Sequence, residues 1–94
     1  MKKFDLGQVV MTQGVMSLIE KEPLLEIEIG SSLYSHCINE WGNLCEEDKK
    51  ANDYAVEHGE KILSAYEIGE NKIKIWIITE WDRSYTTILL PEEY

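Results

Sequence analysis

Residues 61–94 read KILSAYEIGENKIKIWIITEWDRSYTTILLPEEY, and this stretch sets the architecture expected of the chain. It contains three apolar, β-branched runs, which are Ile62–Ile68, Lys72–Thr79 and Tyr85–Leu90. The runs are separated by Gly69-Glu70-Asn71 and by a loop at residues 80–84, and Pro91 follows the third. Short runs bounded by turn residues are typical of β-strands joined by hairpins. The stretch therefore predicts a three-stranded antiparallel meander from Lys61 to Tyr94.

The middle run has the strongest β pattern in the chain. Isoleucines at alternate positions (Ile73, Ile75 and Ile77) share one face of the expected strand. Trp76 and Ile78 lie on the opposite face, so both faces carry large apolar side chains. We therefore expect a central strand that is covered on both sides.

Upstream of the meander, the sequence predicts one strand and one helix. The run Phe4–Met11 is apolar and β-branched near its end, which favours a first strand. Thr12 is a suitable N-cap residue, and three apolar residues follow at helical spacing, namely Val15, Leu18 and Ile19. This helix is expected to end before Pro23, since the residue before a proline disfavours helical backbone.

The segment after that helix is ambiguous in the sequence. Leu25, Ile27 and Ile29 alternate with glutamates, and this period of two favours extended backbone over residues 24–29. A glycine and two serines then interrupt the pattern. A short helix is predicted over residues 33–38, with Leu33 and Cys37 facing inward.

A longer helix is predicted to follow and to end at His58. Asn43 and Glu46 have the spacing of a capping box, and Gly59 suits the position just past the helix end. Acidic residues crowd the first turn, where the helix dipole favours negative charge. The expected inner stripe consists of Leu44, Ala51, Tyr54, Ala55 and His58.

Together these elements predict an α+β fold. It contains a C-terminal three-stranded antiparallel meander and an N-terminal strand, with two to three short helices packed on one face. A length of 94 residues is typical of one domain, and neither a linker nor an internal repeat is evident. Residues 1–94 are therefore expected to form a single domain.

The charge of the chain limits the partners it can attract. Eighteen Asp and Glu against nine Lys and Arg give a net charge of −9. Such a charge disfavours nucleic acid, whose binding needs cations, and it favours a protein partner with a basic surface. Solubility alone also explains an acidic chain. No direct nucleic-acid binding is expected.

The sequence predicts a cytoplasmic protein. No apolar run is long enough for a signal peptide or a membrane span, so no contact with a membrane is expected. Cys37 and Cys45 make no disulfide framework and are expected to stay as free thiols in a reducing compartment. A homodimer is compatible with the sequence.

Residue patterns for metal binding and catalysis are weak. The possible ligands are His36, Cys37, Cys45 and His58, but they form no Cys-x-x-Cys pair, so no metal site and no cofactor are expected. Cys45 lies among carboxylates that raise a thiol pKa, and Ser84 near Asp82 has no histidine close in sequence. The sequence therefore predicts a protein that is not an enzyme, with no catalytic residues.

A binding surface is the remaining class of site. The candidate residues lie on the acidic helix (Glu46, Glu47, Asp48, Asp53 and Glu57) and in the last loop (Trp81, Asp82 and Arg83). Surface tryptophans are frequent anchors of interfaces. Trp41 and Trp81 are each open to a second interpretation, in which the side chain closes the core, and Arg83 is expected to pair locally with Asp82.

Several short segments, taken in order along the chain, match the markers of a known family. They are Leu6–Thr12, Trp41–Leu44, Glu47-Asp48, Asn52, Leu63–Tyr66, Trp76–Glu80, Asp82–Ser84, Thr86-Thr87 and Leu89–Tyr94. Together they resemble a family of small bacterial "plasmid-related proteins" of unknown function, which are carried on plasmids and integrating elements. The resemblance covers about three quarters of the chain. Residues 20–39 depart from the family pattern, apart from His36.

The resemblance implies a mobile-element context. Members are often labelled type I restriction modification subunits, but a methyltransferase subunit needs a glycine-rich cofactor loop and an Asn or Asp followed by two prolines and an aromatic residue. The chain has neither, so the label is rejected. Small acidic proteins of such elements often act by binding. Some, including anti-CRISPR proteins, block host defence complexes by occupying basic nucleic-acid channels.

The sequence thus predicts a mobile-element or phage protein that binds a basic protein partner, with an anti-CRISPR-like inhibitor of a CRISPR effector as the sharpest form. Two alternatives stay open. One is a small enzyme or ligand-binding domain with a pocket lined by Asp82, Arg83 and His36 in the region of the 80–84 loop. The other is a self-associating structural module.

Overall fold

The computed structural model describes residues 2–94. Its elements, in chain order, are β1 (Gln8–Met11), α1 (Gln13–Lys21), α2 (Leu25–Cys37), α3 (Glu46–His58), β2 (Ile62–Ile68), β3 (Ile73–Thr79) and β4 (Tyr85–Leu89), followed by a 3₁₀ turn at Pro91–Glu93. The α+β class is therefore confirmed. No helix within the described range is long and apolar enough to cross a membrane.

The four strands form one mixed sheet in the order β1-β4-β3-β2. β2 pairs with β3, and β3 with β4, in antiparallel fashion, which confirms the predicted pairing of the three C-terminal strands. β3 is an inner strand, as its pattern predicts. β1 joins β4 in parallel, with Gln8 opposite Tyr85 and Met11 opposite Ile88. The sheet as a whole is thus mixed, with β1 and β2 at its edges.

The core lies between the sheet and the first two helices. Val15 of α1 and Leu25 and Ile29 of α2 pack against Ile75 and Ile77 on one face of the sheet. On the other face, Tyr94 packs edge-on against Trp76, with ring centroids 5.7 Å apart. The C-terminal turn therefore covers part of the face that the helices leave open.

α2 corrects the expectation of extended backbone over residues 24–29. The segment is helical throughout, and the predicted short helix is the second half of it. Leu25 and Ile29 are buried four residues apart, whereas Ile27 faces outward. Alternation of apolar residues over one short run fits either period, and burial of two positions in the same core selects the helix.

α3 ends as predicted but begins differently. Gly59 adopts the left-handed conformation (φ 66°) that closes the helix. The N-cap is Cys45, so the capping box of Asn43 and Glu46 is wrong. The inner face carries Asn52 and Ala55, whereas three predicted members of the stripe are exposed, namely Ala51, Tyr54 and His58. The predicted stripe was centred too far toward the outer face of the helix.

The start of α1 is held by the C-terminal residues of the chain. Thr12 is the N-cap, as predicted, but its hydroxyl donates to the carboxylate of Glu93. The same carboxylate accepts from the backbone N–H of Gly14 at 2.9 Å. The hydrogen bonds from Thr12 and from the N–H of Leu90 lower the pKa of Glu93. β1 is also shorter than expected, since Phe4 lies in the core rather than in a strand.

Candidate functional site

His36 lies at the centre of a buried chain of hydrogen bonds. Its Nδ1 is 2.6 Å from Oγ of Ser64, and its Nε2 is 2.8 Å from Oγ1 of Thr79. Thr79 contacts the hydroxyl of Thr86 at 2.7 Å, and Thr86 donates to the carbonyl of Leu6 at 2.7 Å. The chain thereby ties α2 to three strands and to the segment that leads into β1.

The directions of these hydrogen bonds follow from their last acceptor. A carbonyl oxygen only accepts, so Thr86 gives its single hydroxyl hydrogen to Leu6 and must accept from Thr79. Thr79 in turn accepts from Nε2–H of His36, which leaves Nδ1 to accept from Ser64. His36 is therefore the neutral Nε2–H tautomer with both ring nitrogens satisfied.

Burial opposes protonation of this histidine. The side chain has no solvent-exposed surface, and burial together with the charge of Arg83 lowers the pKa of His36 to about 3. The Ser64–His36 separation equals that of a nucleophile and its general base. Ser64 is also fully buried, however, so a substrate cannot reach its hydroxyl in this conformation. The hydrogen bond between Ser64 and His36 therefore stabilises the packing of α2 on β2.

The lowered pKa makes stability depend on pH. The unfolded chain takes up a proton on His36 below about pH 6.5, whereas the folded chain does not until about pH 3. The contribution of His36 is therefore complete above pH 6.5 and is lost as the pH falls, by about 2 kcal/mol between pH 7 and pH 5. The pKa values of Asp82 and Glu93 are also lowered. Their contribution to the free energy of unfolding is lost only as the pH falls to about 4 and below, where carboxylates of the unfolded chain take up protons.

Urea unfolding of the wild type and of His36→Gln at pH 7 and pH 5 checks this prediction. The wild type should lose about 2 kcal/mol more than the variant over that interval. Leu24→Gln, a change at an exposed residue without a titratable group, is the control and should keep the wild-type pH dependence. The ring-proton shifts of His36 should also stay those of the neutral form at pH 5. Protonation of His36 near pH 6.5 in the folded protein would contradict the prediction.

Trp41 belongs to the core, which resolves one of the two tryptophan alternatives. Its side chain is 4% exposed, and it stacks on Phe4 with a centroid distance of 6.2 Å. Its indole Nε1–H donates to Oδ1 of Asp53 at 2.9 Å. Asp53, one of the predicted partner-binding residues, therefore has an internal hydrogen-bond partner, and its substitution would disturb the packing of Trp41.

Arg83 joins the last loop to the end of α3. Its guanidinium donates to the carbonyls of Glu60 at 2.6 Å, Ala55 at 2.8 Å and Glu80 at 3.0 Å. A cation at this position is favourable, because carbonyl groups at the C-terminus of a helix carry partial negative charge. The expected Arg83–Asp82 pair is absent from residues 2–94, and Asp82 instead accepts from the hydroxyl and N–H of Ser84.

The structure divides the predicted binding residues between two ends of α3. Trp81, Asp82 and Arg83 lie beside the helix C-terminus, near Glu57. Of the remaining acidic residues, Asp53 lies about one helical turn from Glu57, and three others lie at the start of α3, about 15 Å away at the rise of a helix over ten residues. They are Glu46, Glu47 and Asp48, of which Asp48 lines a groove beside the sheet with Leu44, Leu63 and Trp76. One continuous surface does not contain all eight residues.

The loop that Arg83 ties to the C-terminal end of α3 contains an exposed tryptophan. Trp81 is 64% exposed, and the nearby Tyr85 is also exposed. Glu80 and Asp82 flank Trp81 in the loop, and Glu57 and Glu60 belong to the end of α3 whose backbone carbonyls Arg83 contacts. Sequence reasoning missed Tyr85 and Glu60 as members of this surface. The hydrogen bonds of Arg83 bring these segments together, and no local pattern in the sequence reveals them.

The described residues do not form the pocket that the sequence offered as an alternative, lined by Asp82, Arg83 and His36. The cavity beside Arg83 is lined by Lys2, Asp5, Leu6, Gly7 and Val9. His36 lies in the core instead. Within residues 2–94, no group of three His, Cys, Asp or Glu side chains is placed to hold a metal ion.

Comparison with known proteins adds no relative. No family model matches the chain, and neither a curated protein nor a solved structure matches it.

Proposed function

We propose that this protein is a non-enzymatic, cytoplasmic binding protein whose partner carries a basic surface. The observation that carries the proposal is Trp81, which is 64% exposed between two acidic residues of a loop that Arg83 ties to the end of α3. We name this surface the tryptophan loop; it consists of residues 80–85 with Glu57 and Glu60.

An exposed indole with an acidic surround has the chemistry of an interface anchor. Burial of a tryptophan against a partner removes a large apolar area from water, and interface hot spots are enriched in this residue. Carboxylates at the rim attract lysine and arginine and speed the encounter of the two proteins. The net charge of −9 extends that attraction over the whole molecule.

The rigidity of the loop supports the same proposal. Arg83 fixes the loop to the helix through three carbonyl groups, and Asp82 closes the turn through Ser84. Trp81 is therefore presented on a constrained backbone, so little conformational entropy of the loop is lost on binding.

The resemblance to mobile-element proteins gives the proposal its sharpest form. We propose that the partner is a host defence complex that binds nucleic acid through a basic channel, such as a CRISPR effector. The protein would then inhibit the complex by covering basic residues beside that channel. The mixed signs on α3, where Lys49 and Lys50 interrupt the carboxylates, favour contact through Trp81 and its rim over mimicry of a phosphate backbone.

A pull-down with matched charge variants tests the proposal. Trp81→Ala and Glu57→Lys should each abolish recovery of the partner that the wild type retains, because one removes the anchor and the other reverses rim charge. Glu70→Lys makes the same charge change in the β2–β3 turn, about 20 Å away along β3, and should leave recovery intact. Equal recovery by all four proteins would refute the tryptophan loop as the interface.

The nature of the partner is tested with the recovered complex. Its binding to nucleic acid should fall when wild-type protein is added and should be unchanged by Trp81→Ala. A recovered partner with an acidic surface, or one whose nucleic-acid binding is unaffected, would contradict the inhibitor form of the proposal.

A further inference from the structure

The two edge strands of the sheet, β2 and β1, differ in whether other parts of the chain pair with their outward backbone groups. At the β2 edge, the N–H of Ala65 donates to the carbonyl of Trp41 at 3.3 Å, and the carbonyl of Ala65 accepts from Asn43 at 2.7 Å. The side-chain amide of Asn52 binds both backbone groups of Leu63, at 2.7 and 3.3 Å. The outward backbone groups of Leu63 and Ala65 on this edge strand are thereby paired within the chain.

The β1 edge has no such cover. All four of its residues are exposed, with Val9 at 41%, Val10 at 37% and Met11 at 38%. β1 pairs with β4 through Gln8 N–H and its continuation through Thr12 N–H. Because backbone groups alternate sides along a strand, the N–H and C=O of Val9 and Met11 point away from the sheet.

The protections that edge strands usually carry are missing from β1. Such edges normally bear a lysine, a proline, an inward charge or a bulge, which discourage pairing with another chain. The sequence Gln8-Val9-Val10-Met11 has no proline and no charge, and its register against β4 is regular. An exposed, apolar, uninterrupted edge is a template for strand addition.

The distribution of charge indicates what can occupy this edge. The segment Leu6–Ile19 contains no charged residue, in a chain of which 29% is charged. Two copies of a chain with a charge of −9 repel each other wherever their carboxylates meet. The charged side chains beside this edge balance in sign: Lys2, Asp5 and Arg83 line a cavity with Val9, and Glu93 binds Thr12. Two copies can therefore meet at β1 with less repulsion than at the acidic surfaces.

We infer that β1 pairs antiparallel with β1 of a second copy, about a twofold axis that passes beside Val10. Val9 then lies opposite Met11 of the second copy, and each pair exchanges two backbone hydrogen bonds. The two Val10 side chains meet on one face, and the Val9–Met11 pairs on the other. Such an interface is self-complementary, as a twofold axis requires.

The surrounding contacts prepare β1 for this pairing and limit the assembly to two copies. A Cβ on Gly7 would lie 2.3 Å from the carbonyl oxygen of Ser84, so glycine is needed where β1 begins. The Glu93 carboxylate fixes Thr12 at the other end. In the dimer, an eight-stranded sheet would end on both sides at a β2 edge closed by Asn52. A closed dimer forms rather than a fibre.

Solution mass is the first test. Light scattering on the wild type at high concentration should give about twice the 10.9 kDa of one chain. Val9→Pro removes only an outward N–H and should raise the dimer dissociation constant roughly tenfold or more. Val10→Lys sets two like charges beside the axis and should also weaken the dimer. Leu24→Lys, at the exposed N-cap residue before α2, is the control and should stay dimeric.

Hydrogen exchange of the unmodified protein gives a second readout that needs no variant. The amides of Val9 and Met11 should gain protection as the concentration rises, whereas the amide of Val10, which faces β4, should be protected throughout. A monomeric wild type, a Val9→Pro variant as dimeric as the wild type, or loss of the dimer in Leu24→Lys would each overturn the inference. It does not depend on the tryptophan loop, whose variants should remain dimeric.

Discussion

Replacing His36 with leucine should lower the free energy of unfolding by about 3–4 kcal/mol. The substitution removes hydrogen bonds at both ring nitrogens and leaves the hydroxyl of Ser64 without its buried acceptor. It also removes the edge-on contacts of the ring with Phe4 at 5.3 Å and Trp41 at 5.8 Å. Leucine has a similar volume, so most of the loss comes from unsatisfied polar groups rather than from a cavity.

A double-mutant cycle separates the polar loss from the packing loss. Ser64→Ala in the wild type leaves Nδ1 of His36 unpaired and should cost about 1–2 kcal/mol. In the His36→Leu background it removes an already unsatisfied hydroxyl and should cost nothing further or restore some stability. The two changes should therefore be non-additive by about 1–2 kcal/mol. Urea unfolding of the four proteins measures this difference.

His58→Leu is the matched control for the loss of an imidazole. His58 is exposed, and it stacks on Tyr54 and contacts the carbonyl of that residue at 2.9 Å. The change should stay within about 0.5 kcal/mol. Additive effects of His36→Leu and Ser64→Ala would show that the hydrogen-bonded chain does not stabilise the fold as described.

Local patterns explain which parts of this fold the sequence predicts. The strands β2, β3 and β4 are short apolar runs with turn residues at their ends, and β3 adds a period of two, so their pairing needs only neighbouring segments. The end of α3 is equally local, since Gly59 closes it through its own backbone conformation. These elements are confirmed with bounds within a residue or two of the predicted ones.

The remaining parts depend on contacts between distant segments. The alternation in Leu25-Glu26-Ile27 fits a strand as well as a helix, and only the shared core decides between them. The parallel partner of β1 lies more than 70 residues along the chain, so no local signal specifies it. His36 likewise finds its partners on β2 and β3, which its own neighbours in the sequence do not reveal.

The same distinction between local patterns and distant contacts applies to the candidate site. The sequence predicts the loop that holds Trp81 but leaves open whether its side chain is exposed, and the structure shows it 64% exposed. The roles of Trp41 and Arg83 do not follow, because a buried indole needs Asp53 as acceptor and the guanidinium needs carbonyls of another element. Side chains that satisfy distant backbone groups carry no periodic signature in a sequence.

Replacing Asn52 with alanine should lower the free energy of unfolding by about 2 kcal/mol and expose the second edge of the sheet. The amide of Asn52 makes two hydrogen bonds to Leu63, whose backbone groups would lose their partners. Alanine gains helix propensity of about 0.7 kcal/mol at most, which offsets only part of the loss. The measurement is urea unfolding, with mass by light scattering at increasing concentration.

The oligomeric state of Asn52→Ala distinguishes loss of edge protection from a general loss of stability. With Leu63 unpaired, β2 becomes a second open edge, and species larger than a dimer should form at concentrations where the wild type does not associate further. Lys50→Ala, on the exposed face of the same helix, should change stability by no more than about 0.5 kcal/mol and should not alter the mass. Asn52→Asp keeps the acceptor for the N–H of Leu63 but sets a buried carboxylate oxygen against its carbonyl, so at pH 7 it should be no more stable than Asn52→Ala. An Asn52→Ala protein as stable as the wild type, with unchanged mass, would show that residues 41–43 close this edge without the amide.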